Sequence, residues 1–411
     1  MRTVLFINGR KNQIERLEQH SAAMRLDLNV VNIADEWPTY LNQIVADYRV
    51  IDTSDIDLSI RTAFELNEIY NFIGVISWSE KDTILRSKIA AALGLPGMDP
   101  NDALACRNKV AMRTRLDSIG HVNPKFSAVH DRETLMRAAE YIGFPSVLKP
   151  AAGSASRGIF IVNNTSELKH AFLKLQNIIS KTYDAVFSGF EGKMILEEML
   201  NGPEISVEGF VHNKQVSIVG ITDKWVSSQF KIEVCHVHPS KINGAQKKEI
   251  YDYSSQVVAA LGIDNTPFHL EAKLTPNGFK VIECAARPAG DCITTNVLPL
   301  TLLGPHVENC IRSYIGEAPI KINKPKYYAA SKFIFADKNG VFIGISNLDK
   351  VLAIPYVVGI QIHLKTGDTV SIPPREFLNH RVMTCLLRAT TWEEVVCSSN
   401  KIDELVKISI N

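Results

Sequence analysis

The chain has no apolar run approaching the roughly 18–20 residues that an α-helix needs to cross a bilayer, so no membrane span is expected. It also lacks any basic stretch interleaved with aromatics, and its formal net charge is only +1. Nucleic acid and acidic membrane surfaces are therefore poor candidates for its main partner. The seven cysteines contain no Cys-x-x-Cys pair and are odd in number. That pattern argues against a complete disulfide framework and for reduced thiols in a cytoplasmic protein. The first apolar segment, Val4-Leu-Phe-Ile7, ends at Gly9 and is too short for the core of a secretory signal. No Gly-x-Gly-x-x-Gly follows it, and no Gly-Lys-Ser/Thr loop occurs, so neither the dinucleotide fingerprint nor a Walker phosphate loop is available. Internal repeats and low-complexity tracts are absent as well.

What the chain does have is the composition of a globular protein, 45% apolar and 22% charged, at a length of 411 residues that suggests several domains. Through residue 98, strand-like segments (Val4–Ile7, Leu28–Ile33, Ile73–Ser77) alternate with helical ones, predicting an open α/β unit with a parallel sheet. A second unit runs from 99 to about 320, and a lysine-rich linker at 321–326 leads into a strand-rich third unit that ends at 411. The expected class is thus multi-domain, α/β at the N-terminus and α+β beyond it.

The most informative local pattern is a hairpin. Residues 268–274 alternate strictly, with His269, Glu271 and Lys273 on the polar face, and lead into Thr275-Pro-Asn-Gly278. Read as a three-residue loop with a bulge, this turn pairs Thr275 with Phe279 and sets Glu271 opposite Glu283, with Cβ atoms roughly 5 Å apart. Like charges so close call for something positive between them. A hard dication with oxygen ligands is the natural candidate, and a solvated hairpin the alternative.

Upstream, Val147-Leu-Lys149-Pro150 precedes a loop of small residues, Ala151–Gly158, whose backbone N–H groups can approach phosphate oxygens, with Lys149 supplying charge at its mouth. Met194–Leu200 is an apolar strand turning acidic at Glu197 and Glu198. Glu204 opens the next alternating strand.

In that order the parts resemble the ATP-grasp superfamily across essentially the whole chain, most closely the L-amino-acid ligases among its carboxylate-amine ligases. The resemblance implies an ATP-grasp fold in which residues 121–200 form a lid. It carries Lys109 and Lys149 over as phosphate ligands, and residues 152–158, with Ser154 and Ser156, as a loop over the triphosphate. Glu197, Glu198 and Leu200 become the adenine hinge, Glu204 the ribose acid, and Glu271 and Glu283 ligands of Mg²⁺, or Mn²⁺ in its place. Arg287 would hold the substrate carboxylate and its acyl phosphate. His236 is a candidate to touch the substrate or take a proton from the amine, with a core histidine as the alternative. Glu80, Lys224 and Trp225 fall on the substrate side by the same resemblance. Where many members read Glu-x-Asn-x-Arg, this chain reads Glu283-Cys-Ala285-Ala-Arg287, so one metal ligand is missing from the strand. The implied activity is ATP-dependent joining of a carboxylate, expected to be an amino acid, to an amine with release of ADP and phosphate, in a homodimer by analogy. A biotin-carboxylase-like bicarbonate-activating subunit and a non-catalytic ATP-binding regulator are the rival readings.

Overall fold

A computed structural model describes residues 2–153, 157–181, 187, 190, 193–227, 232–373 and 380–411. The first four strands, β1 (Arg2–Ile7), β2 (Leu28–Ala34), β3 (Asp47–Val50) and β4 (Phe72–Ser77), form a parallel sheet in the order β3-β2-β1-β4. Val4 to Ile7 are wholly buried, as expected of a parallel strand covered by helices on both faces. β3 was not foreseen, because Asp47-Tyr-Arg-Val is a polar, largely exposed edge strand without an apolar signature.

A second layer is antiparallel: β5 (Phe126–Val129), β6 (Ser146–Pro150), β7 (Phe160–Val162) and β8 (Met194–Glu198), ordered β5-β8-β6-β7. Helices Arg132–Ile142 and Thr165–Lys181 cover one face, burying Leu135, Leu168, Phe172 and Leu175 against Leu148 and Leu196. Asp131 and Thr134 close the first helix with a capping box.

The remaining strands are β9 (Glu204–His212), β10 (Gln215–Val226), β11 (Glu233–His238), β12 (Thr266–Thr275), β13 (Gly278–Ala285), β14 (Tyr328–Phe335), β15 (Gly340–Ser346), β16 (Val357–Ile362), β17 (Thr369–Val370), β18 (Arg381–Ala389) and β19 (Lys407–Ile410). Eight of them make one sheet, β13-β12-β9-β10-β11-β14-β18-β16, and the other three a small one, β17-β15-β19. The strand-rich C-terminal segment is therefore divided, with β15, β17 and β19 in the small sheet and β14, β18 and β16 extending the large one. β14 pairs directly with β11, Cys235 opposite Lys332 and His236 opposite Ser331, and carries β18 and β16 with it. All seven cysteines are free thiols, six of them buried. Among the described residues, no helix is long and apolar enough to cross a membrane.

Gly202 joins the lid layer to the central sheet at φ +144, and a Cβ there would lie 2.0 Å from the Leu274 carbonyl oxygen. Both the backbone angle and the contact exclude a side chain. Gly202→Ala is expected to lower unfolding free energy by at least about 2 kcal/mol in urea denaturation; an unchanged midpoint would show that the loop relaxes freely.

Candidate functional site

The hairpin delivers Glu271 opposite Glu283, but by a different route from the one expected. Thr275 pairs with Gly278 rather than Phe279, because its hydroxyl, donating to the Gly278 carbonyl and accepting from Asn277 N–H, tightens the turn to two residues. The ladder then shifts by one between Ala272–Val281 and Glu271–Glu283, leaving Ile282 as a bulge. Arg113 Nη2 donates to the Ile282 carbonyl at 2.8 Å, so the oxygen is not orphaned. The expected mutual repulsion is relieved by lysines. Lys109 pairs with Glu283 at 2.8 Å and Lys224 with Glu271 at 2.6 Å.

Lys224, fully buried on β10, is the centre of this region. Besides Glu271 it contacts Glu233 at 2.5 Å and lies 3.7 Å from Glu204. Oxygens of Glu204, Glu233 and Glu271 all come within 4.8 Å of one another. Burial opposes the Lys224 charge, but the three acids outweigh it and raise its pKa well above the ordinary value. Burial likewise disfavours the Glu271 carboxylate, yet Lys224 and His269 hold its pKa well below the usual carboxylate range. His269 Nε2 lies 3.0 Å from Glu271 and Nδ1 3.1 Å from Glu208, which also accepts from the Ser206 and Thr222 hydroxyls. The His269 pKa is raised by these acids against its burial. Converging, partly exposed carboxylate oxygens are the donor set a hard dication takes. Glu271 with Glu204 and Glu233 fits such an ion, and Glu283 faces Glu271 across the ladder. Glu204, expected at a ribose, thus stands among the acids of this cluster.

On the lid side, Lys149 at the end of β6 pairs with Glu197 at 2.6 Å, and Arg113 reaches the same carboxylate at 2.9 Å. Burial would raise the Glu197 pKa, but the two cations bring it down to about 2. The Lys149 pKa is lowered, burial exceeding the help from Glu197. Glu197, expected in the adenine hinge, is fixed by these ion pairs. Its side chain is a buried anchor for Lys149 and Arg113, and it does not line the cavity described below. Glu198 accepts from Lys125 N–H, and the Leu200 carbonyl from Lys273 Nζ, so their side chains and backbones serve the layer's edges. Ser154 and Ser156 lie outside the described residues.

One cavity of about 710 Å³ gathers Lys109, Lys149, Glu204, Glu233, Glu271, Glu283 and Arg287. Arg287 Nε donates to Glu80 at 2.6 Å, and Arg107 supports the other oxygen of Glu80 at 3.1 Å. Despite burial, these cations bring the Glu80 pKa down to about 2. His236 does not reach the cavity. It is wholly buried behind Glu233, with Nε2 3.0 Å from that carboxylate but off the line of a good hydrogen bond, and its ring packs edge-on against Phe333. His236 thus backs Glu233 and is not part of the cavity lining. Trp225 packs against Trp392, away from the cavity lining.

Sequence reasoning missed Arg10, Glu15, Asp291, His363 and Arg381, which complete the cavity wall. They come from four separate segments, Arg10 and Glu15 sharing the first, so only the topology brings them together. Asp291 and Cys292 take left-handed backbone angles, φ +52 and +63, just before a π-helical turn at Ile293–Val297. Such strain in non-glycine residues gathers at sites that need a fixed geometry.

The Glu197 ion pairs give a pH signature. The folded pKa lies below the unfolded carboxyl value, so their stabilisation is full above about pH 4.5 and is lost as pH falls toward about 2. Glu197→Gln should cost about 3 kcal/mol at pH 7, and its gap from the native protein in urea denaturation should narrow steadily from pH 4.5 to 3. A gap independent of pH would remove the ion pairs as its source.

Known proteins match parts of this sequence and its fold. The profile of the ATP-grasp domain family covers residues 142–296. An uncharacterised protein of Sinorhizobium fredii is 26% identical over 379 residues, spanning 89% of this chain and 74% of that protein. Alanine–anticapsin ligase of Bacillus subtilis is 29% identical over 224 residues, 51% of this chain, and the match spans 47%, about half, of the ligase. The crystal structure of an L-amino acid ligase from Bacillus licheniformis superposes with a TM-score of 0.89 over 100% of this chain and 99% of that one, at 20% identity, a likeness of fold. Residues 142–296 thus carry an ATP-grasp domain, within a chain whose overall fold is that of the ATP-grasp ligases it superposes on.

Proposed function

We propose that the protein is an ATP-dependent ligase that activates the carboxylate of an amino acid as an acyl phosphate and joins it to an amine, releasing ADP and phosphate. The observation that carries this reading is the single cavity into which Lys109, Lys149, Glu271, Glu283 and Arg287 all face. A nucleotide-binding module without chemistry needs no arginine poised at a substrate carboxylate beside its phosphate site. The amino-acid ligases among the relatives support the choice of substrate.

A Mg²⁺ ion held by Glu271 and Glu283, with Glu204 and Glu233 in reach, would supply charge neutralisation between the phosphates of ATP. Lys109 and Lys149 bind phosphate oxygens and offset the remaining negative charge. Lys149 is held for that task by Glu197, and Lys109 by Glu283. Arg287, fixed by Glu80, holds the substrate carboxylate in line with the transferring phosphoryl group. Alignment and charge compensation are what phosphoryl transfer asks of a protein.

Phosphate release in a screen of amino acids, singly and in pairs, with Mg-ATP is the direct assay. The expected nucleotide product is ADP, and oxygen-18 from the substrate carboxylate should appear in released phosphate. AMP with pyrophosphate, or bicarbonate-dependent ADP release with biotin as acceptor, would overturn the reading. Glu283→Gln should lower kcat by at least about 100-fold while leaving the circular dichroism spectrum unchanged. Near-native turnover in that variant at sub-millimolar Mg²⁺ would take Glu283 out of the metal site.

A further inference from the structure

Arg381 brings to the cavity wall a guanidinium for which the reaction above has no use. Arg381 opens β18, on the segment whose strands extend the central sheet, and its side chain is 28% exposed. The ring of Phe333 lies under the guanidinium at 4.2 Å and that of Phe335 at 5.7 Å. Nη1 donates to Asp291 at 2.5 Å, and no described residue accepts from Nε or Nη2. A stacked guanidinium fixed at one corner by an acid keeps an edge open in a set orientation, the arrangement that suits a carboxylate taken by two parallel N–H donors.

The surroundings maintain that orientation at a cost. Asp291 sits in the left-handed pair described above, and its carbonyl accepts from the Ser331 hydroxyl at 3.1 Å. Arg10 holds the preceding carbonyls, Pro288 at 2.9 Å and Ala289 at 3.1 Å. Beside Arg381 on the cavity wall, His363 Nε2 meets the Thr384 hydroxyl at 2.7 Å. Burial and the neighbouring Arg381 bring the His363 pKa down to about 4, which leaves the imidazole neutral at pH 7 and Arg381 as the charged member of the two.

Amide formation between two amino acids consumes one carboxylate and one amine, and the amine partner keeps its own carboxylate. We propose that Arg381 is a specificity residue that binds a non-reacting carboxylate of the substrate pair, with Thr384 beside it. The inference depends on the ligase reading for which substrate is bound, although not for the presence of the subsite. Two sources share this chemistry: the α-carboxylate of the amine substrate, and a side-chain carboxylate on the substrate being activated.

The test compares the native protein with Arg381→Gln in two arms. The first offers an amino acid or its carboxamide as amine. The second offers aspartate and glutamate, or asparagine and glutamine, as the acid to be activated. In one arm the native protein should favour the carboxylate-bearing compound at least about 10-fold in kcat/KM, and Arg381→Gln should raise its KM about 10- to 100-fold, with kcat within about threefold. The carboxamide or amide should be used equally by both proteins. The arm in which the preference collapses identifies the source, and a preference unchanged in both arms overturns the proposal. Arg381→Lys, which keeps the charge but loses the fork, should fall between the two and serves as the test variant if Arg381→Gln does not fold. Calorimetric titration of the same compounds into the ADP-loaded proteins reads the subsite without turnover. If no amide forms with any pair, the ligase reading fails, while loss of the carboxylate preference in the titration still decides the role of Arg381.

Discussion

Three partly exposed carboxylates whose oxygens converge within 4.8 Å repel one another, and one lysine offsets much of that repulsion. Lys224 reaches Glu233 and Glu271 directly and stands 3.7 Å from Glu204. It projects from β10, between the strands that carry Glu204 and Glu233, so sheet order decides which acids meet. His269 and Glu208 extend the compensation one layer deeper, and His236 backs Glu233. Removing Lys224 would leave a cluster of like charges with no reason to stay ionised or aligned. One ammonium thus aligns all three acids.

Much of the architecture was legible because it is written in local pattern. Apolar strands alternating with helices marked the parallel sheet, and strict alternation through Glu271 marked the hairpin. Yet the register that set Glu271 opposite Glu283 was right for a reason that was partly wrong. The irregularity expected at the turn sits instead at Ile282, where Arg113 collects the freed carbonyl. Nothing in the residues near Ile282 announces that, since its cause is a guanidinium 169 positions away in the chain.

The same limit explains Glu197 and His236. An acid after an apolar strand looks the same whether it faces a ligand or a buried arginine, and only the position of Arg113 and Lys149 distinguishes them. A histidine on an alternating strand is equally silent about which face β14 will cover. The wall formed by Arg10, Asp291, His363 and Arg381 had no local signal at all. Its two left-handed residues are an aspartate and a cysteine rather than the glycine such angles favour, so those positions gave no sign of the turn.

Because β11, β14 and β18 are neighbours in one ladder, the strand that carries Glu233 and the strand that begins with Arg381 are separated by a single strand. A swing of the β5–β8 layer would carry Lys149 with it and leave that separation untouched. The reach from the acids to the far guanidinium is thus set by hydrogen-bonded strands, a ruler built into the sheet.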